Sequence, residues 1–120
     1  MKRQPEIEIF LHGCPMERLL TWIEMVIGPL GKPEEAGESI IYPGPIGPII
    51  VTPVRDGFAS VWFNTSRSPW ETDVDCARQA ARELKCTVRC DPGQHFPEVH
   101  PLSDIFLEIT GETERLIDLE

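Results

Sequence analysis

Apolar residues recur along this chain with two different periods, and the switches between them divide it into elements. Ile7, Ile9 and Leu11 alternate with Glu6, Glu8 and Phe10, which predicts a strand over residues 6–11. A helix is predicted from Cys14-Pro15, because Met16, Leu19, Leu20, Ile23, Val26 and Ile27 form one wide stripe at helical spacing. Gly28-Pro29 stops it. Trp22 and Met25 lie off the centre of that stripe, so each has either a core role or a place on a partly exposed apolar surface. Residues 31–38 read as a polar loop, followed by a short strand at 39–42. Pro43, Pro45 and Pro48, with two glycines between them, exclude regular structure until a strand at 49–52.

The second half is patterned more strongly. Residues 58–63 are aromatic and β-branched, which suits a strand, and Arg55-Asp56-Gly57 turns the chain into it as a hairpin. Val74, Ala77, Ala80, Ala81 and Leu84 fall on one helical face. Thr72 or Asp73 caps that helix, and Asp75 stands in its first turn, where a carboxylate complements the dipole. Cys86, Val88 and Cys90 then share one face of a strand, with Thr87 and Arg89 on the other. Asp91-Pro92-Gly93 is a turn, residues 94–103 are a loop, and Ile105, Leu107 and Ile109 mark a further strand. A turn at Gly111-Glu112 leads to a last strand near 115–119. The resulting order is β-α-β-β-β-α-β-β-β in one domain spanning residues 1–120. It predicts an α+β two-layer sandwich, with two helices on one face of a mainly antiparallel sheet, in a ferredoxin-like plan extended by a C-terminal hairpin.

Charge changes the picture more than composition does. The net charge is −9, and it is unevenly spread. Residues 1–90 carry 12 acidic and 10 basic residues, while residues 91–120 carry 8 acidic residues against Arg115 alone. Such a chain is a poor match for a phosphate backbone, so direct nucleic-acid binding is not expected, and a basic protein is the natural complement. Lys2 and Arg3 make the extreme N-terminus basic, but no apolar run follows them, so neither a signal peptide nor a membrane span is expected. The expected compartment is the cytoplasm, where four cysteines stay reduced.

Three groups of residues invite chemistry. Cys14 stands at a helix N-terminus, where a thiol pKa falls, and His12 two residues upstream is a candidate base. The loop holding Asp91, His95, Glu98, His100 and Asp104 has the residue types of general acid-base catalysis, and also those of an ordinary polar loop. Cys90, His95 and His100 form the least improbable metal set. No C-x2-C pair occurs, and Cys86 and Cys90 would sit roughly 13 Å apart along a strand, so no metal or other cofactor is expected. Phosphate-binding, zinc-protease and nucleophile-elbow motifs are absent from the sequence. Trp70, with Arg67 in the same loop, is a candidate interface anchor.

In its size, its acidic last third and its lack of a catalytic motif, the chain resembles the small acidic immunity proteins that bacteria make against their neighbours' toxins. The segments 70–91 and 96–104 also resemble bacterial single-domain proteins without an assigned function. The first resemblance implies a non-enzymatic, cytoplasmic binder of a basic toxin. The acidic residues expected to meet such a partner are Asp91, Glu98, Asp104, Glu108, Glu112, Glu114 and Asp118, with Trp70 as anchor. The alternatives are a small enzyme or ligand-binding domain using Cys14 with His12 or the His95/His100 loop, and a homo-oligomer pairing through an edge strand.

Overall fold

A computed structural model describes residues 6–119, so the basic Lys2 and Arg3 lie outside the described residues. In chain order the elements are β1 (Ile7–His12), α1 (Met16–Val26), β2 (Glu34–Ala36), β3 (Ser39–Tyr42), β4 (Ile49–Pro53), β5 (Phe58–Phe63), α2 (Asp73–Leu84), β6 (Thr87–Cys90), β7 (Ile105–Thr110) and β8 (Thr113–Asp118). The eight strands form one sheet in the order β2-β3-β4-β5-β1-β6-β7-β8, antiparallel at every junction.

The α+β class and the antiparallel sheet agree with the sequence pattern, but the ferredoxin-like order does not. The sheet is larger and differently ordered. Four hairpin-linked strands, not three, lie between the helices, because Glu34–Ala36 pairs with Ser39–Ile41 inside the stretch expected to be a loop. The last of the four, β5, returns antiparallel beside β1, and β6 lies antiparallel on its other side. β1 is therefore a central strand inserted between two meanders.

Side-chain alternation sends each strand's residues to opposite faces. Ile7, Ile9 and Leu11 of β1 share a face with Val61 and Phe63 of β5, Val88 and Cys90 of β6, and Leu107 and Ile109 of β7, and all are buried. Leu19, Trp22 and Ile23 of α1 and Val74, Ala77, Ala80, Ala81 and Leu84 of α2 cover them in a single core. The alanines on α2 let the helix lie close to the strands. Thr72 caps α2, its hydroxyl accepting the Asp75 N–H at 3.1 Å, and Lys85 ends it in the left-handed conformation at φ 55°.

Both tryptophans beside the helices belong to this core. Trp22 and Trp70 stack with centroids 5.8 Å apart, and Trp70 meets Phe63 edge-on at 5.0 Å. Each ring nitrogen keeps a partner, which a buried indole N–H requires. Trp22 donates to Glu83 at 2.8 Å and Trp70 to Gln79 at 2.7 Å. Met25, by contrast, is 74% exposed.

Candidate functional site

Among the described residues no helix covers the second face of the sheet. The register aligns one row across five strands there: Ser60 of β5, Phe10 of β1, Arg89 of β6, Glu108 of β7 and Arg115 of β8. Glu108 stands in that row between two arginines. Arg89 donates from Nε to its Oε2 at 2.9 Å, while Arg115 donates from Nε and Nη2 to its Oε1 at 3.0 and 2.8 Å. Only 8% of Glu108 is exposed. Burial alone would push its carboxyl pKa up, but the two guanidinium groups outweigh that and hold it below the usual carboxylate range.

Aromatic rings flank the arginine. The Arg89 guanidinium lies 4.2 Å from the Phe58 ring centroid, a cation–π contact. His12 packs against Phe58 with centroids 5.0 Å apart, and Phe10 meets Phe106 edge-on at 5.9 Å. Phe10, Phe58, Arg89 and Phe106 line a hollow of about 230 Å³ together with Val54, Arg55 and Asp56 from the β4–β5 turn and Leu119 beyond β8. Asp56 sits there with φ 62°, a left-handed conformation that aspartate tolerates better than most residues. A second cavity of about 450 Å³ lies beneath the 91–104 loop, lined largely by Pro92, Pro97, Val99, His100 and Ser103.

The residues singled out in the sequence do not converge on one site. Trp70 is 4% exposed and locked in the core, so it is not available as an interface anchor. Loop aromatics are ambiguous in sequence because a loop that folds back over the core buries its ring. Glu108 and Glu114 are not free acids either. Glu108 is answered twice on the open face, and Glu114, on the opposite face of β8, accepts from Arg78 of α2 at 2.7 and 3.0 Å. Asp91 accepts the Gly93 N–H at 2.7 Å, and Asp91, Glu98 and Asp104 stand exposed at the sheet end where β6 stops and β7 starts. Glu112 occupies the β7–β8 turn at the other end, behind Gly111 at φ 63°. Asp118 lies on the helix side of β8 with Glu114.

β8 is an edge strand. Thr110 and Thr113 pair across a two-residue turn, and Leu119 donates its N–H to the Asp104 carbonyl at 3.0 Å. By antiparallel alternation the N–H and C=O groups of Glu114 and Leu116 therefore point away from the sheet. β2, the opposite edge, carries exposed Glu34 and Glu35, with Glu38 beside it. Carboxylates thus line both edges of the sheet.

The thiol and histidine candidates are placed apart. Cys14 is half-buried at the entry to α1, behind Pro15 in the cap position. Burial pushes its thiol pKa up, and a hydrogen bond with Cys86 and the charge of Arg18 offset only part of that, so the helix terminus does not activate it. Cys86 is pushed up to about 12 by burial and by Cys14 itself. His12 leans on Phe58 on the open face, and no hydrogen bond joins it to Cys14. The three members of the candidate metal set separate in the same way. Cys90 faces the helices and is fully buried. His95 Nε2 meets the Thr72 hydroxyl at 3.2 Å and Asp75 at 3.9 Å, while His100 accepts the Leu102 N–H at 3.1 Å. Among the described residues no three His, Cys, Asp or Glu side chains are gathered for a metal ion.

One carboxyl that sequence reasoning treated only as a possible cap stands out. Asp73 opens α2 and accepts the Glu8 N–H at 3.2 Å, just beyond the point where β6 ceases to pair with β1. Its pKa is raised to about 6, chiefly by burial, with the charges of Asp91 and Glu8 adding to it and the Glu8 hydrogen bond opposing it. Among the described residues no helix is long and apolar enough to cross a membrane. Comparison with models of known protein families, with characterised proteins and with solved structures finds no match to this chain.

Proposed function

We propose that this chain is a non-enzymatic binding module that holds a basic protein partner along the acidic β8 edge and the adjoining 91–104 loop. The observation that carries the reading is the coincidence of outward backbone groups at Glu114 and Leu116 with exposed carboxylates at Asp91, Glu98, Asp104 and Glu112. An extended segment can add to such an edge through its main chain, and basic side chains give the addition specificity and speed. A second copy is the poorer occupant, because antiparallel pairing centred on Leu116 sets Glu114 opposite Asp118. Neutralisation of a basic toxin in the bacterial cytoplasm, as immunity proteins do it, is the biological form that fits a small acidic binder without an activated nucleophile.

Affinity capture from host lysate at low salt, followed by a salt gradient, tests this. A single basic protein should be retained in stoichiometric amount, released by salt, and lost by a Asp104→Lys/Glu112→Lys variant. Retention that ignores ionic strength, or that survives both charge reversals, would sink the acidic-edge reading.

A further inference from the structure

We infer that the hollow on the open sheet face is a binding site for a small aromatic carboxylate. It shares no residue with the acidic edge invoked above, so it stands or falls separately. Its lining suits a flat apolar body: Phe10, Phe58 and Phe106 contribute rings, and Val54 and Leu119 add apolar side chains. The volume of about 230 Å³ admits one or two fused rings with a short tail, not a larger cofactor.

Charge selects the sign of that tail. Of the three charged residues lining the hollow, Arg55 and Arg89 are cationic and Asp56 is anionic. Behind them Glu108 is already matched by two guanidinium groups and adds no net negative charge. On a chain of net charge −9, this is a place where cations outnumber anions. Arg89 gives only its Nε to Glu108 and lies over the Phe58 ring, so its terminal nitrogens are held in place and available. Arg55 makes no ion pair among the described residues. A planar guanidinium beside aromatic faces matches a carboxylate attached to a ring, and a preformed one loses little freedom on binding.

The test is an NMR titration of the ¹⁵N-labelled protein with indole-3-propionate and with tryptamine, which share the ring and differ in the charge of the tail. The acid should give saturable shifts at Phe10, Phe58, Arg89 and Phe106, with a Kd of about 0.1–1 mM, and tryptamine should bind at least about tenfold more weakly. Arg55→Gln, in an exposed turn, should weaken the acid about three- to tenfold and narrow the gap between acid and amine, without weakening tryptamine. Three results would overturn the inference: no saturable shift by about 10 mM acid, equal binding of acid and amine, or shifts centred on the cavity beneath the 91–104 loop. The acid–amine comparison uses the unaltered protein, so it decides the matter whether or not the variant folds.

Discussion

Two carboxyl groups, Glu108 on the open face of the sheet and Asp73 on its helix-covered side, are both drawn out of water, and their pKa values move in opposite directions. Glu108 is held low by Arg89 and Arg115 despite burial. Among the described residues Asp73 has no cation against it, only the Glu8 N–H, and burial lifts it to about 6. The difference shows how the two faces of one sheet are stabilised. The covered face excludes water with Ile, Val, Ala and Cys and carries Asp73 reluctantly. The open face keeps water near and holds its residues by pairing charge with charge and cation with ring.

That contrast can be broken most forcefully on the covered side. Phe63 is fully buried against Trp70. Phe63→Ala should cost about 3–5 kcal/mol in chemical denaturation, whereas truncation of the half-exposed Phe106 on the open face should cost clearly less. Equal costs would mean that the open face is packed as a second core.

A smaller effect is expected at Glu108. Removing it leaves Arg89, largely shielded from water, without its partner, and Glu108→Ala should destabilise by about 1–3 kcal/mol at neutral pH. The folded-state pKa of Glu108 is depressed, so its contribution is complete above the usual carboxylate value of 4.5 and drains away as pH falls through the lower folded value. The variant should therefore converge on the parent protein in strong acid.

Asp73 sharpens the comparison with the mildest change. Its folded pKa lies above the ordinary 3.8, so between these values the folded protein binds more protons than the unfolded one. Stability linked to this group is greatest below pH 4 and is lost as pH rises to about 6. Asp73→Asn keeps an acceptor for the Glu8 N–H without the charge. It should gain roughly 1–2 kcal/mol above pH 6, a discount on about 1.4 kcal/mol per pKa unit for the part of the group still in water. Thermal melts at pH 4 and pH 7 measure it, and a gain of the same size at both would remove ionisation as the cause.

Much of this architecture was legible in the sequence, for reasons that also explain the omissions. α2 stands where the Thr72 cap and the alanine stripe predicted it, because both signals are local. β2 was read as loop since Glu34-Glu35-Ala36 has no apolar alternation, and only its backbone pairing with β3 makes it a strand. The position of β1 between β5 and β6 depends on contacts far apart in the chain, which no window of residues reports. At the candidate site, the Glu108–Arg115 pair follows from the register of a two-residue hairpin and was open to inference from Gly111-Glu112. The Arg78–Glu114 pair joins a helix to an edge strand and left no local trace. Arg89 was placed correctly opposite the buried cysteines, but the rings around it come from three other strands.

The central position of β1 bears on how the chain is assembled. Ile7 faces Phe63 and Phe10 faces Arg89, so β1 has both its neighbours only once residues far along the chain have come back to it. The β2–β5 and β6–β8 meanders can form from nearby residues, yet each keeps one edge open until β1 closes the seam between them. Folding dominated by such long-range closure belongs to the slow, millisecond-to-second class. A slot left vacant during that wait could accept β1 from another copy, so strand exchange that dilution suppresses is the misassembly this topology predicts.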